Sequence, residues 1–413
     1  MTVKSASSRG TDGGTAPKFA PALPQLSDFS LVSGGPLYQL LRRTRLSDDE
    51  LQFTSRRVLV VAMIAWLPLA LLSVMEGNGW RSGETLGFLQ DMEVHARMLV
   101  AIPLFMLAEV WAHRQIPPVI RTFVHDGLVT DATRPSFEAA IDSAIRLRNS
   151  VVAELLLVGF VYAVGVAVVW RTQFALDVNT WYAVVDGGLL RPTMAGRWFA
   201  WVSMPIFLFL FLRWCFRLFI WTRFLWQVAR LDLDLEPTHP DGLAGLHFLV
   251  LSERAYRPVL FAMGSVLSGM MANRILYTGA ALADFKLEIF AAVVLLLLTV
   301  LGPLLVFMPN LRNVRRRGIT EYGSIGQRYA REFRRKWIGG GQTTSEPLLG
   351  SGDIQSLADL HNAYEVVDKI PMFPFSWRNL TLPTVTVLLP VAPLLLTTFS
   401  VEELIDRLLG MLL

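Results

Sequence analysis

One cysteine, Cys215, is the whole thiol content of this 413-residue chain, so an intramolecular disulfide is excluded and a redox pair has no second member. Its place inside an apolar run predicts a small packed core residue. Charge is scarce too: 17% of residues are Asp, Glu, Lys or Arg, against about a quarter in soluble globular domains. Histidine is rarer still, with six in all and none in the middle of an apolar run, which argues against a bis-histidine haem within a bundle. No Walker-type glycine loop, GxSxG or HExxH occurs, so the enzyme classes built on those motifs are excluded. These absences predict no cofactor and no catalytic residue.

What the chain has instead is apolar sequence, 53% of its residues, with a mean hydropathy of +0.44. The predicted fold class is an all-α polytopic transmembrane bundle of about seven spans: 58–75, 98–112, 151–170, 198–221, 258–280, 287–308 and 381–399. The second is the weakest, because its apolar stretch is short and carries Glu109; it crosses the bilayer only if the helix extends through His95 and His113.

Charge placement gives the orientation. With the N-terminus inside, the inner segments 1–57, 114–149, 225–257 and 310–378 hold 27 Lys and Arg and the outer segments 7. Arg56-Arg57 and Arg315-Arg316-Arg317 stand directly at span ends, where the positive-inside rule counts, so the expectation is N-in and C-out. The net charge of +4 is thereby assigned to topology, and nucleic acid is not expected as a partner.

The expected organisation follows. Residues 1–50, rich in Ser, Gly, Pro and Thr and without a signal-peptide apolar region, form a flexible cytoplasmic tail. Residues 51–310 form a six-span bundle with cytoplasmic connectors 114–149 and 225–257. In the first connector, a helix over 135–148 should run straight into the third span. Residues 311–378 are a cytoplasmic helical segment: a basic helix over 321–338 suited to anionic headgroups, a break at Gly339-Gly340-Gly341, and a second helix from Asp353. Residues 379–413 supply the seventh span and an interfacial helix with a capping box at Ser400 and Glu403. Prolines 68, 103, 205, 303, 383, 390 and 393 fall within spans and predict kinked, mutually packed helices.

Four features carry candidate chemistry. In the fourth span, Arg213 and Arg217 are four apart on one helical face, among Trp214, Trp221 and Trp226. Either they snorkel to headgroups with a tryptophan belt, or they form an intramembrane ion or anion site paired with Glu109 or Glu154 at similar depth. Arg274, near the outer end of the fifth span, has Glu76, Asp91, Glu93, Asp284 and Glu288 as candidate partners, for an ion pair between helix ends or a charged vestibule. Gly264, Ser268 and Ala272 make a small-residue packing stripe, with Ser265, Gly269 and Asn273 one position along; its partner is a helix of this chain or of a second copy. The loop carrying Asp232, Asp234, Glu236, His239, Asp241 and His247 lacks calcium-loop and zinc spacing, so no metal is expected. Thr238 or Asp241 should cap a helix beginning near Gly242, with Pro240 leading in.

The strings THPDGLAGLHFL (238–249), LLGSGDIQSLADLHNAYEVV (348–367) and the proline-rich last span ending EELIDRLLGMLL resemble a family of uncharacterised bacterial inner-membrane proteins. The resemblance covers the C-terminal half and implies the bacterial inner membrane, with no activity attached. Three functions follow from the residues, in descending order. The first is a conduit or transporter for a small charged, anionic solute. The second is a non-catalytic scaffold or accessory subunit of an envelope complex. The third is a membrane-embedded lipid-modifying enzyme using the Asp232–His247 loop. The expected partners are anionic headgroups at the arginine-rich cytoplasmic segments and a second copy or another protein.

Overall fold

The computed structural model describes residues 54–80, 86–165, 180–186, 189–339 and 351–397. The predicted tail 1–50, the capping box at Ser400 and Glu403, Gly340-Gly341 and the end of the third predicted span lie outside them.

The described residues start with α1 (Thr54–Met75), α2 (Met92–His125), α3 (Arg134–Arg148) and α4 (Val151–Phe160), which a π turn continues to Gly165. A short antiparallel pair follows, β1 (Ala183–Asp186) and β2 (Leu189–Pro192). Then come α5 (Met194–Val228), α6 (His247–Thr278), α7 (Leu282–Ile338), α8 (Gly352–Asp368) and α9 (Trp377–Thr397). Six of these, α1, α2, α5, α6, α7 and α9, are long and apolar enough to cross a membrane. The protein is a multi-pass helical membrane protein. The second predicted span does extend through His95 and His113, as crossing requires.

Prolines set the local geometry. A proline has no N–H to give the carbonyl four residues back, and in lipid that carbonyl must find another donor. Pro68 frees the Ile64 carbonyl, which accepts Trp198 Nε1 at 3.2 Å; Pro205 frees that of Trp201, which accepts the Tyr162 hydroxyl at 3.5 Å. Around Pro103, Pro205, Pro303 and Pro390 the helices also change pitch, with π turns at Ala96–Ala101 and Phe199–Ser203 and 3-10 turns at Gly302–Phe307 and Leu389–Thr397.

Four local expectations are corrected. α3 does not run into α4: Asn149 ends it, and the extended Ser150 caps α4 by accepting Ala153 N–H. No helix begins near Gly242; Gly242, Ala244 and Gly245 adopt left-handed backbone around Asp241, and the helix starts at His247. The basic segment is not a separate surface helix, because α7 passes from its apolar part through Pro303 into residues 308–338 without a break and pairs with α8. Arg315–Asp368 and Lys336–Asp353 ion pairs close the two ends of that hairpin. Cys215 is exposed on α5 instead of packed in the core.

The small-residue stripes of α6 pack within the chain. A Cβ on Gly264 would lie 2.2 Å from the Val387 carbonyl oxygen of α9, and Ser268 Oγ donates to the Pro390 carbonyl at 2.7 Å. Ala272 is buried in the same seam. The neighbouring stripe meets α2: Gly269 abuts Ala96 and the Met92 carbonyl, and Asn273 Nδ2 donates to Asp91 at 2.8 Å.

Candidate functional site

α1, α2, α4 and α5 converge on Glu109. α2 carries it on a face with Phe105, Ala108, Ala112 and Ile116, all buried. Arg57 Nη2 donates to its Oε2 at 2.5 Å, while Arg217 Nη2 and Arg213 Nη1 donate to its Oε1 at 2.7 and 3.2 Å. Arg213 also faces Glu154 of α4, with Nη2 3.9 Å from Oε1. The Arg217 guanidinium lies 4.8 Å from the ring centroid of Trp214, whose Nε1 donates to the Phe105 carbonyl.

Burial bears on the two readings of Arg213 and Arg217. Their exposures are 7% and 3%, with Arg57 at 2% and Glu109 at 4%, so these side chains end among protein groups rather than in a headgroup layer. Three guanidinium groups against Glu109 and Glu154 leave the cluster with one positive charge in excess. Two buried donors, Arg57 Nε and Arg217 Nη1, have no hydrogen-bond partner among the described residues.

Beside the cluster is a cavity of about 350 Å³. Arg57, Glu109 and Arg213 form one end, and mostly apolar residues of α1, α2, α4 with its π turn, and α5, including Ile64, Met106, Val161 and Ile206, form the rest. At the opposite end of the bundle the helices close over aromatic side chains. Phe88 meets Trp181 edge-on at 5.1 Å, Trp181 Nε1 donates to the buried Asp91, and Trp66 Nε1 donates to His95. Glu76 accepts from the backbone N–H of Met194 and Ala195, fixing the start of α5.

The structure therefore brings together four of the predicted site residues, Glu109, Glu154, Arg213 and Arg217. Arg274 is not among them. It stands half-exposed in the last turns of α6, 3.7 Å from an equally open Glu288 and 5.9 Å from the Phe285 ring centroid. Arg57 is the residue sequence reasoning missed, having been counted only as a boundary charge. Its signal was position: Arg57, Ala65, Leu69 and Ser73 recur at multiples of four along one stripe of α1, and all are buried.

In the acidic loop, as elsewhere among the described residues, no three metal-ligating side chains converge. Asp241 accepts the backbone N–H groups of Leu243, Gly245 and His247. Burial would raise its pKa, but those three donors and His239 hold the carboxyl below the usual carboxylate range.

Comparison with family models, curated proteins and solved structures finds no match to this chain. Function has to be argued from the cluster itself.

Proposed function

We propose that the chain is a seven-span protein of the bacterial inner membrane, N-in and C-out, that binds a small anionic solute at the Arg57–Glu109–Arg213–Arg217 cluster as a conduit or transporter. The observation that carries this reading is the surplus positive charge, with two donors unpartnered among the described residues, in a buried cluster beside a cavity. Isolated charge is expensive at that depth, and its retention beside a cavity points to function. Support for a seventh crossing comes from α4, which has no buried residue and exposes Val151, Val152, Leu155, Leu156 and Phe160, as a lipid-facing helix does. The orientation rests on the 27-to-7 split of basic residues. In proteoliposomes the wild type should pass small anions and Arg213→Ala should lose most of that flux; vesicles that stay tight with the wild type would overturn the proposal.

A scaffold role is the second reading, favoured by the α7–α8 hairpin. It exposes Arg328, Arg331 and Arg334 beside Ile325, Ile338 and Ile354, a basic and apolar surface suited to a cytoplasmic partner. A stoichiometric partner recovered in mild detergent, and lost with Arg328→Glu plus Arg331→Glu, would favour it over transport.

A further inference from the structure

The cavity beside the cluster is charged at one end only. From Arg57 to Ile64 on α1, and from Arg213 to Pro205 on α5, its walls run ~10–12 Å away from the arginines. That covers much of the ~15 Å that the hydrocarbon of one leaflet occupies. Ile64 of the spanning helix α1, and Val158 and Tyr162 of the apolar α4 and its π turn, line the cavity and are also exposed, so the opening faces sideways, toward lipid.

An occupant has to satisfy both ends. Arg57 is buried, lines the cavity and has an unpartnered Nε, and the cluster carries an excess positive charge, so the polar end suits carboxylate or phosphate oxygens. A hydrated inorganic anion would satisfy that end and leave the apolar walls against water or void. An uncharged hydrocarbon would fill the walls and leave the donors unpaired. At about 350 Å³ the cavity lies near the lower limit of ligand pockets, with room for one chain and not two.

We infer that the cavity takes one alkyl chain of an amphipathic anion, a carboxylate or phosphate ester that enters laterally from the bilayer with its head on Arg57 and Arg213. This rests on the reading of the cluster as an anion site and adds the class of ligand.

The test is native mass spectrometry of the full chain in phosphatidylcholine nanodiscs, titrated with dodecyl phosphate, ethyl phosphate and inorganic phosphate. The wild type should bind one dodecyl phosphate at least about tenfold more tightly than either short anion. Val158→Trp, which places a large ring at the exposed rim of the apolar half of the cavity, should abolish that preference, whereas Arg57→Gln should weaken all three. Equal binding of the three probes, unchanged by Val158→Trp, would overturn the amphiphile and leave the anion site standing. Dodecyl phosphate bound equally by the wild type, Val158→Trp and Arg57→Gln would be bilayer partitioning and would overturn the inference. Wild-type protein that takes up none of the three would overturn the inference and the anion site together.

Discussion

Arg57 donates to Glu109 at 2.5 Å, tying the first turn of α1 to the middle of α2 across 52 residues of sequence. Two further arginines share that carboxylate, so the convergence of α1, α2 and α5 depends on one negative charge. Removing one member of a buried ionic group costs about 3–5 kcal/mol because the remainder is left uncompensated. Glu109→Ala should lose that much stability, lowering the thermal midpoint in detergent sharply and reducing folded yield. Glu109→Asp should recover part of the loss, and a Glu109→Ala protein as stable as wild type would show that the arginines find other partners.

The α6–α9 contact makes a separate prediction. A side chain at Gly264 has no room against the Val387 carbonyl, since even a Cβ would be 2.2 Å from it. Gly264→Val should force the two helices apart at an overpacking cost of about 1–3 kcal/mol. The check is disulfide trapping between Ser268→Cys and Pro390→Cys in a Cys215→Ser background, which should form readily in the parent and poorly in the Gly264→Val protein.

How much of this was legible in the sequence differs by element. Six of the seven expected spans were readable because apolar length is an explicit signal, and depth alone made Glu109 and Glu154 the candidate partners of Arg213, and Glu109 that of Arg217. Arg57 was hidden because a basic residue beside Arg56 at a span end is what topology already demands. The Asn149–Ser150 break and the continuity of α7 through Pro303 were hidden for another reason. Capping and pitch changes are settled by which donors and carbonyls neighbouring elements supply, and a sequence does not show those neighbours.

Asp241 gives a pH-dependent prediction. Its carboxyl is held below the ordinary range in the folded chain by backbone donors, so the stabilisation is fully present above the unfolded value of ~3.9 and is lost as pH falls through the lower folded value. Asp241→Asn should therefore be less stable than wild type at neutral pH, with the gap narrowing below about pH 4. A gap that is constant with pH would assign the effect to shape instead of charge.

Orientation is open to labelling. With Cys215→Ser as background, Ala281→Cys in the exposed α6–α7 turn should react with an impermeant maleimide in spheroplasts. Ser324→Cys, exposed on the hairpin part of α7, should react only after permeabilisation. The reverse pattern would place the N-terminus outside.

The most direct test of the account is a high-resolution density map of the full chain in lipid nanodiscs. It should show Arg57, Arg213 and Arg217 gathered on Glu109, with an elongated density running from the guanidinium groups along Ile64 and Ile206. A map in which Arg213 and Arg217 reach outward to the headgroups, leaving Glu109 without them, would contradict the buried anion site and the functions built on it.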